Sequence, residues 1–327
     1  MIRYSIVVPA YNAAATLDAC LQALLDQTTE REAFEIIVVD DGSTDLTGEV
    51  ARKYPVRFVQ QENRGPAAAR NHGAREAKGG ILLFTDSDCV PSPDWIREMT
   101  KPFAGGPAVA AVKGAYRTSQ RSLVARFAQA EFEERFAMLK EADSIDMVDT
   151  YSAAFRREIF WGQGGFDESF PVANNEDTDL SYKLSAAGHR MVFNPAAVVS
   201  HLRHPDSVRR YMKQKFGRGY WRMIVYEKFP EKMVKDTYTP QSLKFQVLFL
   251  FAALFFGVLV PLFRASGWPA AFFSLAFFGA TLPFSLFALR RDAAVGILAP
   301  LFLAMRALAI GSGVLYFLGR KYLRRSC

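Results

Sequence analysis

The 327-residue sequence predicts an α/β fold, a doubly wound sheet, followed by an α-helical membrane region, and three observations carry that prediction. Short β-branched runs alternate with helix-period segments along the first part of the chain, the pattern of a sheet wound on both faces. The polar clusters fall where those apolar runs end, at the strand ends where ligands sit in such sheets. From residue 245 onward most of the chain is strongly apolar and rich in Phe.

In order, "YSIVVPA" reads as a first strand ending at Pro9. From Thr16, Leu17, Cys20, Leu21, Leu24 and Leu25 then line one face of a helix. "FEIIVVDDGSTD" holds Ile36 to Val39 as a continuous apolar run, the mark of a parallel strand covered on both faces. "STDLTGEVARKY" resembles a capped helix, "VRFVQQ" a third strand and "GPAAARNHGAREAK" a helix of small residues. The fourth strand, "ILLF", runs into Asp86 and Asp88. Residues 118–150 read as an amphipathic helix that covers the acceptor side, with packing as its only assigned role.

The sequence has no GxGxxG and no GxxxxGK[ST], so a glycine-rich phosphate cradle is not expected, and a metal can hold phosphates instead. Oxygen-rich ligation by an Asp-x-Asp pair suits Mg²⁺ or Mn²⁺. In "NEDTDLSYKL", Leu180 and Leu184 stand at helical spacing behind Glu176, Asp177 and Asp179, which places the acids at a helix N-terminus. The cysteines, Cys20, Cys89 and Cys327, form no CxxC; this fits a reducing compartment and gives no support for a zinc site.

"FQVLFLFAALFFGVLVPLF" (245–263) and "WPAAFFSLAFFGATLPFSLFAL" (268–289) are each about the length that crosses a bilayer as a helix, and together they read as a hairpin. A third segment, 295–319, is interrupted by Pro300, Arg306 and two glycines; spanning, re-entrant and interfacial placements stay open for it, the basic "RKYLRR" that follows arguing against a full crossing. The net charge of +7 concentrates in residues 203–244, which carry Arg203, Arg209, Arg210, Lys213, Lys215, Arg218, Arg222, Lys228, Lys232, Lys235 and Lys244. Such a collar before a first span keeps its side cytoplasmic and attracts anionic membrane lipids; nucleic acid as its partner leaves the apolar segments unexplained. The start, "MIRYSIVVPAYN", reads as too short and polar for a signal peptide. The expected division is a catalytic domain over 1–240, including the basic segment, and a membrane region over 241–327.

"VVPAYN", "VVDDGSTD", "RGPAAARN", "TDSDC", "GGFDESF" and "NEDTDLSYKLSAAGHR" occur in the order seen in family 2 glycosyltransferases with the GT-A fold, and the chain resembles that family over roughly residues 3–204. The resemblance implies that Tyr11 and Asp41, with Pro9 and Asn12 beside them, hold the base of a UDP-, GDP- or dTDP-sugar. By the same likeness Arg70 contacts the nucleotide or its phosphates. Asp86 and Asp88 serve the metal, Asp88 as direct ligand, and His201 completes its shell. Gly164-Gly165-Phe166 faces donor sugar and acceptor, and Asp177, with Glu176 beside it, is the general base. The implied reaction is an inverting transfer. A hydroxyl acceptor needs a base and the membrane segments favour a lipid-borne one, so a lipid-linked saccharide satisfies both. The alternative is a polyprenyl phosphate acceptor, whose oxygen is already ionised. A non-catalytic membrane scaffold with the same fold is the rival of another class. "YMKQKFGRGYWR" (211–222) lies where processive synthases carry QxxRW but departs from it.

Overall fold

A computed structural model describes residues 1–104, 109–170 and 174–325; Cys327 lies outside them. The chain divides into two compact units, one of Met1–Ser119 and Met138–Arg203, the other of Gln120–Ala137 and His204–Cys327. Of the segment 1–240 expected to form one domain, residues 120–137 and 204–240 thus group with the apolar helices.

The first unit is built on an eight-stranded sheet. Its strands are β1 (Tyr4–Ala10), β2 (Phe34–Asp41), β3 (Arg57–Gln61), β4 (Ile81–Phe84), β5 (Cys89–Pro91), β6 (Val109–Arg117), β7 (Ala153–Arg156) and β8 (Arg190–His201), in the order β3-β2-β1-β4-β7-β6-β8-β5. The first four pair in parallel, as the alternating sequence predicts, with Val7 opposite both Ile37 and Phe84. The far half is mixed: β7 runs antiparallel to β4 and β6, and β5 antiparallel to β8. Because β1, β2 and β4 are parallel, Tyr11, Asp41 and Asp86 follow or end their strands on one edge of the sheet.

The small-residue helix Pro66–Glu76 is small for a packing reason. A Cβ at Gly73 would sit 2.4 Å from Val7 Cγ1 and 3.0 Å from Val39 Cγ2, so the helix lies directly on β1 and β2. Phe84, Phe155, Phe160 and Phe166 form a ring cluster with centroids 5.2–6.3 Å apart, largely edge-to-face. The helix expected over 118–150 occupies only Leu123–Lys140. Beyond it Asp143, Ser144 and Asp146 favour turns, and that stretch is held by Ile145 N–H on the Met191 carbonyl (2.8 Å) and Val148 N–H on Ser181 Oγ (3.0 Å).

In the second unit three helices, Gln241–Leu259, Arg264–Leu289 and Ala293–Leu323, are long and apolar enough to cross a membrane. The third is unbroken where the sequence suggested interruption, continuing from Ala293 to Arg325 through Pro300. Its glycines serve close contact instead. A Cβ at Gly313 would lie 2.2 Å from the Phe216 carbonyl oxygen, and one at Gly311 2.1 Å from the Phe251 ring. Arg306 is buried and donates to Glu131 Oε1 (2.8 Å) and Gln246 Oε1 (2.6 Å), so its charge is paired where it is removed from solvent. Glu131 also accepts from Lys215 Nζ (2.8 Å) and Tyr211 Oη (3.0 Å). Lys215 is therefore an interior residue of helix Val208–Lys228, not part of the surface collar, whereas Arg209, Arg210, Lys213 and Lys228 are exposed.

Candidate active site

The β1 and β2 ends are stitched together. Asn12 adopts a left-handed φ of 48°, its amide donates to Ser43 Oγ (2.9 Å), and its Oδ1 accepts from Thr44 N–H (2.9 Å). Tyr11 beside it is exposed, and Pro9 is half-buried. Asp41 is buried and accepts from Gln61 Nε2 (2.8 Å), Arg64 N–H (2.9 Å) and Gly65 N–H (2.9 Å). A carboxylate has about four acceptor positions. Two hold the loop that enters helix Pro66–Glu76, one ties Asp41 to the end of β3, and one is without a partner among the described residues.

Arg70, on that helix, is buried between two acids. Nη2 meets Asp86 Oδ1 at 2.7 Å and Nη1 meets Glu176 Oε1 at 2.7 Å. The guanidinium ties the segment after β4 to the start of helix Glu176–Ala186. Its neighbour Asn71 escaped the sequence reading. Asn71 is buried, accepts from Phe166 N–H (3.0 Å) and donates to the Phe166 carbonyl (2.8 Å), pinning the Gly164–Phe166 turn. Gly165 has φ +70°, and a Cβ there would meet Asn71 Oδ1 at 2.8 Å, so glycine is required. The only early signal for Asn71 was its place after Arg70 in "AAARN".

Asn175, in the left-handed region at φ 67°, turns the chain into the acid-bearing helix. Glu176 faces inward and is buried, its second oxygen accepting from Asn174 N–H (2.7 Å). Asp177 is half-buried; its Oδ1 accepts from Thr178 N–H (2.7 Å), and its other oxygen has no protein partner among the described residues. Burial, and then the Asp177 charge, push the Glu176 carboxyl up from 4.5 to about 7 against the pull of Arg70. Between those values the folded chain keeps a proton that the unfolded chain has released. This contribution to stability is therefore present in acid and is lost as pH rises through 7. Thermal unfolding measured on either side of the 4.5–7 window should accordingly depend less on pH in Glu176→Gln than in the wild type. An undiminished dependence would assign it to another group.

At the end of β4, Asp88 Oδ1 lies 3.9 Å from His201 Nε2, and Tyr116 flanks the imidazole with centroids 5.5 Å apart. Asp88, Cys89 and His201 form a group whose possible ligand atoms all lie within 4.8 Å of one another; Asp86, tied to Arg70, stands outside it. Burial and then the Asp86 and Asp88 charges push the Cys89 thiol well up, so without a bound cation it stays protonated. Burial also raises the Asp88 carboxyl, with Asp86 adding to it against His201. Asp86 and Glu176 are held on Arg70, while Asp88 stands beside His201, an oxygen and a ring nitrogen of the kind that a divalent cation takes. On the other ring nitrogen, His201 Nδ1 accepts a long 3.3 Å approach from the Arg203 amide.

A mixed sheet of this order, with carboxylates at the ends of β2 and β4 and an acid-led helix beside them, defines a GT-A-type α/β domain. Residues 5–163 match the model of Glycosyl transferase family 2. The validoxylamine A glucosyltransferase of Streptomyces hygroscopicus subsp. jinggangensis is 35% identical over 217 residues, covering 56% of this chain and 51% of that protein. The chain thus spans about half the length of that relative. Glycosyltransferase AglE of Haloferax volcanii is 26% identical over 224 residues, covering 66% of this chain and 72% of its own. Among solved structures, the mannosyltransferase PcManGT from Pyrobaculum calidifontis, in complex with GDP-Man and Mn²⁺, superposes with a TM-score of 0.63 at 22% identity, covering 97% of this chain and 87% of that one.

Proposed function

We propose that the chain is a membrane-anchored inverting glycosyltransferase that moves a sugar from a nucleoside-diphosphate sugar to a hydroxyl of a lipid-linked saccharide, with its catalytic unit facing the cytoplasm. The observation that carries this reading is the Arg70 bridge: one buried guanidinium holds both Asp86, at the strand end, and Glu176, next to Asp177. The donor-side and acceptor-side acids are thereby positioned by one group.

Asp41 offers its remaining acceptor position to a base N–H, and Tyr11 lies beside it as an exposed ring for the base to rest on. Asp88 and His201, with Asp86 beside them, would hold Mg²⁺ or Mn²⁺, which when bound neutralises charge on the departing diphosphate. The unpartnered oxygen of Asp177 accepts the acceptor hydroxyl proton as that oxygen forms its bond to the anomeric carbon. The bond from that carbon to the diphosphate breaks, and its electron pair leaves with the nucleoside diphosphate. One displacement inverts the centre. The GDP-Man and Mn²⁺ in PcManGT agree with a nucleotide-sugar donor and a divalent ion. The three apolar helices and the exposed cations of Val208–Lys228 support anchoring on an anionic leaflet.

The test is sugar transfer by the detergent-purified chain, offered UDP-, GDP- and dTDP-sugars with lipid-linked saccharide as acceptor. Activity is expected to vanish on chelation and return with Mn²⁺ or Mg²⁺. Transfer that is indifferent to chelator, or that takes only bare polyprenyl phosphate, would refute the reading.

A further inference from the structure

The proposed chemistry leaves Cys89 unused, yet its position is defined by the same strand pair that places the cation ligands. Strand β5 is three residues long and pairs antiparallel with the end of β8, in the register Cys89 opposite His201 and Val90 opposite Ser200. Leu202 N–H on the Asp88 carbonyl (2.8 Å) extends that pairing by one step. Directly opposed residues of an antiparallel pair present their side chains on one face, with Cβ atoms about 4.5–5.5 Å apart. The thiol and the imidazole therefore share a face by register, not by chance approach.

Asp88, next in the chain, closes the triangle. Its Oδ1 is 3.9 Å from Cys89 Sγ and 3.9 Å from His201 Nε2, and one donor atom from each of the three residues falls within 4.8 Å of the others. Zinc bonds of about 2.0 Å to oxygen or nitrogen and about 2.3 Å to sulfur place tetrahedral ligand atoms roughly 3.3–3.6 Å apart. The observed spacings need only side-chain contraction to reach that range. The ordinary role of a buried cysteine, filling space as a small apolar group, describes Cys20, whose Sγ lies 3.6 Å from the Asp86 carbonyl oxygen. It does not account for the Asp88–Cys89–His201 triangle.

We infer that Asp88, Cys89 and His201 form a site for a thiophilic divalent cation, Zn²⁺ foremost, which displaces Mg²⁺ or Mn²⁺ and arrests transfer. This rests on the reading of Asp88 and His201 as the cation ligands of the proposed reaction. A set of one thiolate, one imidazole and one carboxylate prefers Zn²⁺ over Mn²⁺, both by softness and by the order of divalent affinities. Three protein ligands leave the fourth position open. On binding, the thiol proton passes to solvent and the sulfur bonds the cation; no oxidant or reductant is involved.

Full-length chain carrying Cys327→Ser is titrated in detergent with Co²⁺ as the spectroscopic stand-in for Zn²⁺, and with Mn²⁺ followed by electron paramagnetic resonance. A sulfur-to-cobalt charge-transfer band is expected at one equivalent, retained in Cys20→Ser and lost in Cys89→Ser. Zn²⁺ should release bound Mn²⁺ at a concentration about tenfold or more lower in the chain with Cys89 than in Cys89→Ser. X-ray absorption of the zinc-loaded chain needs no variant at Cys89, and one sulfur at about 2.3 Å is expected. Displacement of Mn²⁺ by Co²⁺ without the band, or a band that survives Cys89→Ser, overturns the inference while the cation reading stands. Failure of both Mn²⁺ and Co²⁺ to bind overturns the two together.

Discussion

Asp177→Asn is expected to lower the rate of sugar transfer by about 10²–10⁴-fold while donor binding stays close to wild type. The amide keeps the shape of the side chain and its Oδ1 contact with Thr178 N–H, but it cannot take a proton from the acceptor. Glu176 cannot substitute, because it is buried with both oxygens engaged by Arg70 and Asn174. Single-turnover transfer to a lipid-linked saccharide, measured beside nucleotide-sugar affinity, separates the two quantities. Equal loss of donor affinity and rate would make Asp177 a binding residue. Wild-type rates onto bare polyprenyl phosphate would mean that the acceptor arrives already ionised and that no base is used.

Glu131→Ala is expected to remove about 3–5 kcal/mol of stability from the helical unit, since it strands Lys215 and Arg306 as buried cations without their counter-charge. Although burial pushes the Glu131 carboxyl up, Lys215 and then Arg306 hold it well below the usual carboxylate range. Its contribution is therefore present above the ordinary carboxylate pKa and lost as pH falls through the lower folded value. Thermal unfolding in detergent is the measurement, with a lowering of Tm on the order of 10 °C expected. Replacing Glu131, Lys215 and Arg306 together by Leu, Met and Leu should recover much of the loss, because an apolar set leaves no charge unpaired. A triple variant no better than Glu131→Ala would place the destabilisation in packing instead.

Much of the sheet could be read along the chain. Ile36–Val39 and Ile81–Phe84 are continuous apolar runs because parallel strands are covered on both faces, and both appear as β2 and β4. The mixed half could not be read this way, because β7 and the short β5 are held by partners distant in sequence, Leu82–Leu83 and Val199–His201 among them. The continuity of the third apolar helix could not be read for a related reason. Arg306 and the glycines look like breaks in one dimension, but they meet Glu131, Gln246, Phe216 and Phe251 in three.

The candidate site divides along the same line. Residue type and local order by themselves place acids at the ends of β2 and β4 and at the start of helix Glu176–Ala186, since strand and helix periods are local properties of the chain. Which acid stays available is decided only by tertiary contacts. Arg70 takes up Asp86 and Glu176, Asn71 fixes the Gly165 turn, and the β5–β8 register sets Cys89 opposite His201. Each of these depends on groups far apart in sequence meeting within hydrogen-bond or ladder distance. No local pattern encodes such a meeting; the folded core imposes it by bringing those elements to one edge of the sheet.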